Sequence, residues 1–168
     1  DMRRHLVQEE ARFPAELTRT FKGLETQGNP WGIGADKKAD WAEGLGIPHL
    51  ADKPDAEYLF YVGCAGSFDD RAKKITQAVA RILDAAGVSY AILGRDEPCN
   101  GDTSRRLGNE YLYQTMAQAA RDVLAGYNVK KVITNCPHCF NTIRNEFPQF
   151  GGDFEGVHAA ELVADLVK

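Results

Sequence analysis

Between residues 57 and 168, short apolar runs alternate with amphipathic stretches, and this alternation limits the fold more than any other feature of the chain. EYLFYVG (57–63) is a compact apolar and aromatic run that reads as a buried strand; VSYAILG (88–94) and VKKVITN (129–135) repeat its signature, and FEGVHA (154–159) offers a fourth. Between the first two lies DDRAKKITQAVARILDAAG, with Ile75, Val79, Ile82 and Leu83 at helical spacing, acidic residues in the first turn and Gly87 at the expected stop. A second helix is predicted from about Ser104 to Tyr127, with Asp102, Thr103 and Ser104 available as caps. CPHCFNTIRNEF predicts a short helix that stops before Pro148, and a final helix follows the fourth strand. Strands separated by helices require crossovers, which join parallel neighbours. The fold class is therefore α/β: a small Rossmann-like parallel sheet flanked by helices.

Residues 1–56 lack that rhythm. A helix over Met2–Leu24 is predicted to pass into a stretch rich in glycine, with Trp31 and Trp41 and no strand alternation. The expectation is a helical and irregular arm, 1–56, whose tryptophans dock on an α/β domain, 57–168. The chain begins Asp1-Met2 and ends at Lys168 within VHAAELVADLVK, which reads as a fragment of a longer multidomain protein.

Lys and Arg total 20 against 24 acidic residues, and no basic stretch interleaves with aromatics, which argues against a nucleic-acid partner. No apolar run is long enough to cross a bilayer, and DMRRHLVQEE lacks the apolar centre of an export signal. The expectation is a cytoplasmic fragment without membrane contact of its own. There the four cysteines stay reduced, which favours ligation or redox chemistry over stapling.

Those cysteines are Cys64, Cys99, Cys136 and Cys139, with 34, 36 and 2 residues between them. One follows the first strand, one the second, and two the third. In a parallel sheet the loops after the strands gather on one edge, so all four are predicted to meet there. Uncompensated thiolates would repel, so a cation or cationic cluster is expected among them, with helix amino ends carrying residual negative charge. Gly63, Gly66 and Gly101 allow the tight turns that wrapping such a centre requires. His138 is expected to point outward as a tuner and not a ligand. His158 is expected on the same rim as an ordinary histidine, and Arg105, Arg106, Asn109 and Glu110 as a solvated first turn whose arginines could lower the cluster's charge.

Cys64, then Cys99-Asn100-Gly101-Asp102, then Cys136-Pro137-His138-Cys139-Phe140-Asn141-Thr142 resembles the cysteine-rich CCG domain of heterodisulfide reductase-related iron–sulfur oxidoreductases. GNPWGIGADKKADWAEGL, YVGCAGSFDDRAKKI and RRLGNEYLYQ are similar to further parts of that group. The resemblance implies an electron-transfer domain working between a soluble donor, such as a flavoprotein, and a quinone or disulfide. It implies as partners a ferredoxin-like segment and a second cysteine-rich domain of the same chain, with the membrane's cytoplasmic face reached through the remainder of that chain. The family's fuller motif has two adjacent cysteines, and here the second is Asn100. Four thiolates make a [4Fe–4S] cubane held by Cys64, Cys99, Cys136 and Cys139 the economical expectation.

Three alternatives stay open at this level. Four thiolates also form a structural zinc set, although two single cysteines plus one CxxC differ from paired CxxC knuckles. CPHC at a strand-to-helix junction resembles a thiol–disulfide active site, a reading that leaves Cys64 and Cys99 unused. GCAGSFDD is a glycine-containing turn after a strand, but it lacks the G-x-G-x-x-G spacing of a nucleotide site. No general acid or base stands out.

Overall fold

A computed structural model describes all 168 residues of the protein. The period of two along the first strand decides its layers. In β1 (Tyr58–Phe60) and the two residues after it, Leu59 and Tyr61 pack into one hydrophobic cluster while Phe60 and Val62 pack into the other. The first cluster is completed by Tyr113, Ala117, Ala120 and Leu124 of a long helix, and the second by Ala80 and Leu83 of another. The sheet is thus covered on both faces, as an all-parallel sheet requires.

β2 (Tyr90–Ala91), β3 (Lys131–Thr134) and β4 (Glu155–His158) complete a sheet of order β2-β1-β3-β4, parallel throughout. Leu59 pairs with Ala91 on one side and Val132 on the other, so β1 is central. The four strands fall within the four runs expected from the sequence, and the α/β architecture with helices on both faces is as predicted.

The helices correct the sequence reading in three places. The expected helix over Met2–Leu24 is two, α1 (Met2–Gln8) and α2 (Glu16–Gln27). Pro14 disfavours helical backbone in the residue before it, and Ala11 turns to φ 50°. The sheet's first crossover carries α3 (Gly63–Phe68) and α4 (Asp70–Ala85), the latter capped by the Asp69 side chain accepting from Arg71 N and Ala72 N. The predicted helix over Ser104–Tyr127 is also divided, into α5 (Asp102–Leu107) and α6 (Glu110–Gly126). Gly108 stops α5 at φ 99°, with Arg3 O where its Cβ would be, and the Asn109 side chain starts α6 by accepting from Leu112 N. Finally, α7 (Pro137–Asn141) continues through a π turn, Thr142–Glu146, into a 3₁₀ turn, Phe147–Phe150. Pro148 is accommodated within that last turn, whose opening residues need no N–H partner, instead of ending the helix before it. The chain closes with α8 (Ala159–Leu166).

Residues 28–56 wrap the body. Trp41 is 3% exposed and meets Phe60 edge to face at 5.9 Å, as expected of a docking tryptophan, whereas Trp31 remains 46% exposed against Phe68. His49 adds a single parallel bridge to Ile92, where no strand pairing was foreseen. No helix is long and apolar enough to cross a membrane.

Candidate functional site

The strand order reverses direction at β1: the chain first moves to β2 on one side and then returns to β3 on the other. The loops leaving β1 and β3 therefore diverge and leave a crevice at the carboxyl edge of the sheet, the usual ligand position in such folds. Cys64 stands in the first turn of α3 after β1, Cys99 in the loop after β2, and Cys136 and Cys139 at and within the start of α7 after β3. All four line one cavity of about 300 Å³. The predicted convergence is what the structure has.

Within that cavity the thiols act on one another most strongly in two pairs, Cys64 with Cys99 and Cys136 with Cys139. The Cys64 thiol is pushed well up, first by the hydrogen bond it shares with Cys99 and then by burial, while Cys99 is lowered by the same bond. Cys139 is likewise raised by its bond to Cys136, and Cys136 is pushed down to about 6, chiefly by that bond and also by the N–H groups of Cys139 and His138. In each pair one thiol, Cys99 or Cys136, is shifted toward the thiolate and the other, Cys64 or Cys139, away from it. No three His, Cys, Asp or Glu side chains stand close enough together to hold a single metal ion.

The backbone approaches the sulfurs closely. Gly63 has φ 75°, and a Cβ there would lie 2.8 Å from Cys139 Sγ, so a side chain is excluded by both conformation and space. Gly101 N donates to Cys99 Sγ at 3.5 Å. Gly66 instead faces Val62 and Thr76, so its tightness serves the packing of α3 on α4 and not the cavity.

Behind the Cys64–Cys99 pair is a buried ion pair. Lys38, 5% exposed, reaches in from the arm with Nζ 3.3 Å from Glu97 Oε1 and donates to Glu97 O. The Glu97 carboxylate also accepts from Val62 N and Gly63 N, both at 2.8 Å, which fixes the turn ahead of Cys64. The positive charge of Lys38 favours the thiolate forms of Cys64 and Cys99.

At the cavity's mouth, His138 Nδ1 lies 2.9 Å from Asp102 Oδ2, and the imidazole is 66% exposed. Its outward position is as expected, in contact with a buried carboxylate. Asp102 Oδ1 also receives Arg106 Nε at 3.0 Å, and Arg106 and Arg105 both reach Glu146, which accepts from Tyr113 Oη and Asn141 Nδ2 as well. Arg105, Arg106 and Glu110 therefore belong to an ion-pair network that ties α5 to the π turn, not to a solvated first turn; Arg106 also lines the cavity. Burial works against the Glu146 carboxylate, but its bonds from Arg105 and Tyr113 hold its pKa below the usual range. His158 points elsewhere: its Nδ1 accepts from Ala160 N as the cap of α8.

Lys38, Glu97 and Glu146 escaped the sequence reading, and Asp102, expected only as a helix cap, is the partner of His138 and Arg106. Glu97 had a faint signal, lying two residues before Cys99; Lys38 had none, because its partner is 59 residues away.

Comparison with known proteins places the chain in a family. The model of the CCG cysteine-rich domain family matches residues 58–144, the segment that carries all four. The chain is 44% identical over 99% of its length to an EtfAB:quinone oxidoreductase of Syntrophomonas wolfei, and 41% identical over its whole length to FadF of Bacillus subtilis, described as a probable iron-sulfur-binding oxidoreductase. One of the subunits of the dihydromethanophenazine:CoB–CoM heterodisulfide reductase of Methanosarcina mazei is 29% identical over 83% of the chain. The chain spans 24%, 25% and 34% of these three relatives, respectively. No solved structure matches it.

Proposed function

The chain belongs to the CCG cysteine-rich domain family, and on that premise we propose that it is the iron–sulfur electron-transfer domain of a larger oxidoreductase. The observation that carries this reading is the convergence of Cys64, Cys99, Cys136 and Cys139, from three separate loops, on one cavity. These four would hold a [4Fe–4S] cluster, one thiolate per iron. When bound, such a cluster supplies a one-electron site. The chain's own residues hold the sulfurs apart as two pairs, supply N–H donors from Gly101, His138 and Cys139, and place the Lys38 charge behind one pair. Two pairs facing a shared space suit a multi-iron cluster better than one zinc ion, which needs all four sulfurs at about 2.3 Å. Asn100, standing beside Cys99, brings no fifth sulfur, which favours the cubane form.

Electrons would pass between a soluble donor, such as a flavoprotein, and a quinone or disulfide, the acceptors that relatives' names carry. The remaining partners would be other domains of a longer chain, since this one spans about a quarter of its first two relatives. Work at the cytoplasmic face of a membrane would depend on those other domains. Residues 1–56 act in this reading as part of the site's enclosure, through Lys38 and Trp31.

Anaerobic purification or reconstitution should give a brown protein with about four iron and four sulfide per chain. One zinc without sulfide would establish the structural-zinc reading instead, and a chain that stays metal-free would overturn both. A thiol–disulfide activity is the second reading, favoured by the Cys136 thiol at about 6 beside helical N–H groups. Insulin reduction that survives Cys64→Ser and Cys99→Ser would promote it.

A further inference from the structure

Three buried side-chain polar atoms lack a partner within the protein: Asn100 Nδ2, Arg121 Nε and Asn135 Oδ1. Asn100 is the one among these residues that lines the cysteine cavity. Its residue is 3% exposed, so water does not ordinarily supply the missing bond, and a buried donor is costly to leave unmade. The orientation of the amide is fixed by the other end. Asp102 N donates to Asn100 Oδ1 at 3.1 Å, an Asx turn at the entry to α5, so the atom left over is the donor and not the acceptor. A donor held in this way, on a residue that adjoins Cys99 and lines a cavity with four cysteines, has a specific complement: an acceptor with negative charge spread over sulfur.

We propose that Asn100 is a positioning residue for the cluster, its Nδ2–H donating a hydrogen bond to a cluster sulfide or to a ligating thiolate. The inference rests on the iron–sulfur reading above and adds a residue to it. The bond is stronger for the reduced cluster, which carries one more negative charge, so it raises the midpoint potential. Asn100 thereby acts on the site as a tuning dipole and not as a ligand.

The test compares wild type with Asn100→Leu and Asn100→Asp in the reconstituted chain, with iron and sulfide measured first. At equal loading, Asn100→Leu is expected to lower the equilibrium constant for one-electron reduction about fivefold, or about 40 mV, the effect of one ordinary hydrogen bond. Asn100→Asp keeps the acceptor for Asp102 N and removes the donor, and its potential is expected to fall at least as far. Unchanged or raised potentials at full loading overturn the role of Asn100 while leaving the iron–sulfur reading intact; a wild type without iron or sulfide overturns that reading itself. Should the variants lose the cluster, wild type carrying asparagine ¹⁵N-labelled at the side-chain amide decides the matter. Pulsed EPR of the reduced protein is expected to show a ¹⁵N coupling that persists in Asn135→Ser; its absence from wild type, or its loss in Asn135→Ser, overturns the proposal.

Discussion

The pair Cys136 and Cys139 and the pair Cys64 and Cys99 line the same cavity but are assembled by different means. The first is local: β3 ends, Pro137 occupies the first helical turn, and two intervening residues bring Cys139 back toward Cys136. The second has no local cause. Cys64 and Cys99 meet because β1 and β2 are parallel neighbours, because Glu97 ties the β2 loop to Val62 N and Gly63 N, and because Lys38 crosses from the arm to neutralise that carboxylate. A binding site can thus be half written into a motif and half into tertiary charge burial. Loss of the tertiary half is expected to be the more damaging to stability.

If the pairs form one centre, the largest effect is all-or-none. Cys64→Ser and Cys136→Ser should each reduce iron in the anaerobically reconstituted chain from about four per chain to near none. Full retention in one of them, against loss in the other, would break the two pairs into independent sites.

Lys38→Met tests the tertiary half alone. It leaves the Glu97 carboxylate buried without its ammonium, so denaturant unfolding should show a loss of about 3–5 kcal/mol. A loss within about 0.5 kcal/mol would mean the pair is dispensable to the Cys64–Cys99 arrangement.

Gly63→Ala sits where the halves touch. Its φ of 75° and the 2.8 Å approach to Cys139 Sγ predict a cost of about 1–3 kcal/mol, together with weaker cluster retention under chelator challenge. Unaltered retention would show that the two pairs can separate slightly without consequence.

The smallest effect distinguishes the thiols within a pair. In the metal-free chain, alkylation of Cys136 should accelerate as pH rises through about 6, where its thiolate forms, while Cys64 and Cys139 stay protonated until well above the ordinary thiol range. Peptide mapping after iodoacetamide treatment across pH 5–9 reads this directly. Equal rates at all four positions would remove the asymmetry.

Much of this was legible in the sequence. The runs at 57–63, 88–94 and 129–135 contain β1, β2 and β3, because a strand buried on both faces must be apolar along its length. The cysteine positions behind those strands then implied a shared rim without any coordinates. Helix ends were less legible: the break at Gly108 and Asn109 lies inside an amphipathic pattern that continues across it, and the left-handed turn and close passage of Arg3 that call for that glycine exist only in the folded chain.

The sequence alone determined the alternation of elements, the edge on which four thiols gather and the strand-to-helix turn that sets Cys139 beside Cys136, since each follows from side-chain period or from spacing along the backbone. Tertiary structure decided the partners of buried charge and the order β2-β1-β3-β4 that opens the crevice. Lys38 with Glu97, Arg105 and Arg106 with Glu146, and the unpartnered amide of Asn100 beside its anchored Oδ1 are products of that assembly. The physical reason is that burial multiplies electrostatic and hydrogen-bond energies, and burial belongs to the packed chain as a whole, not to any stretch of it.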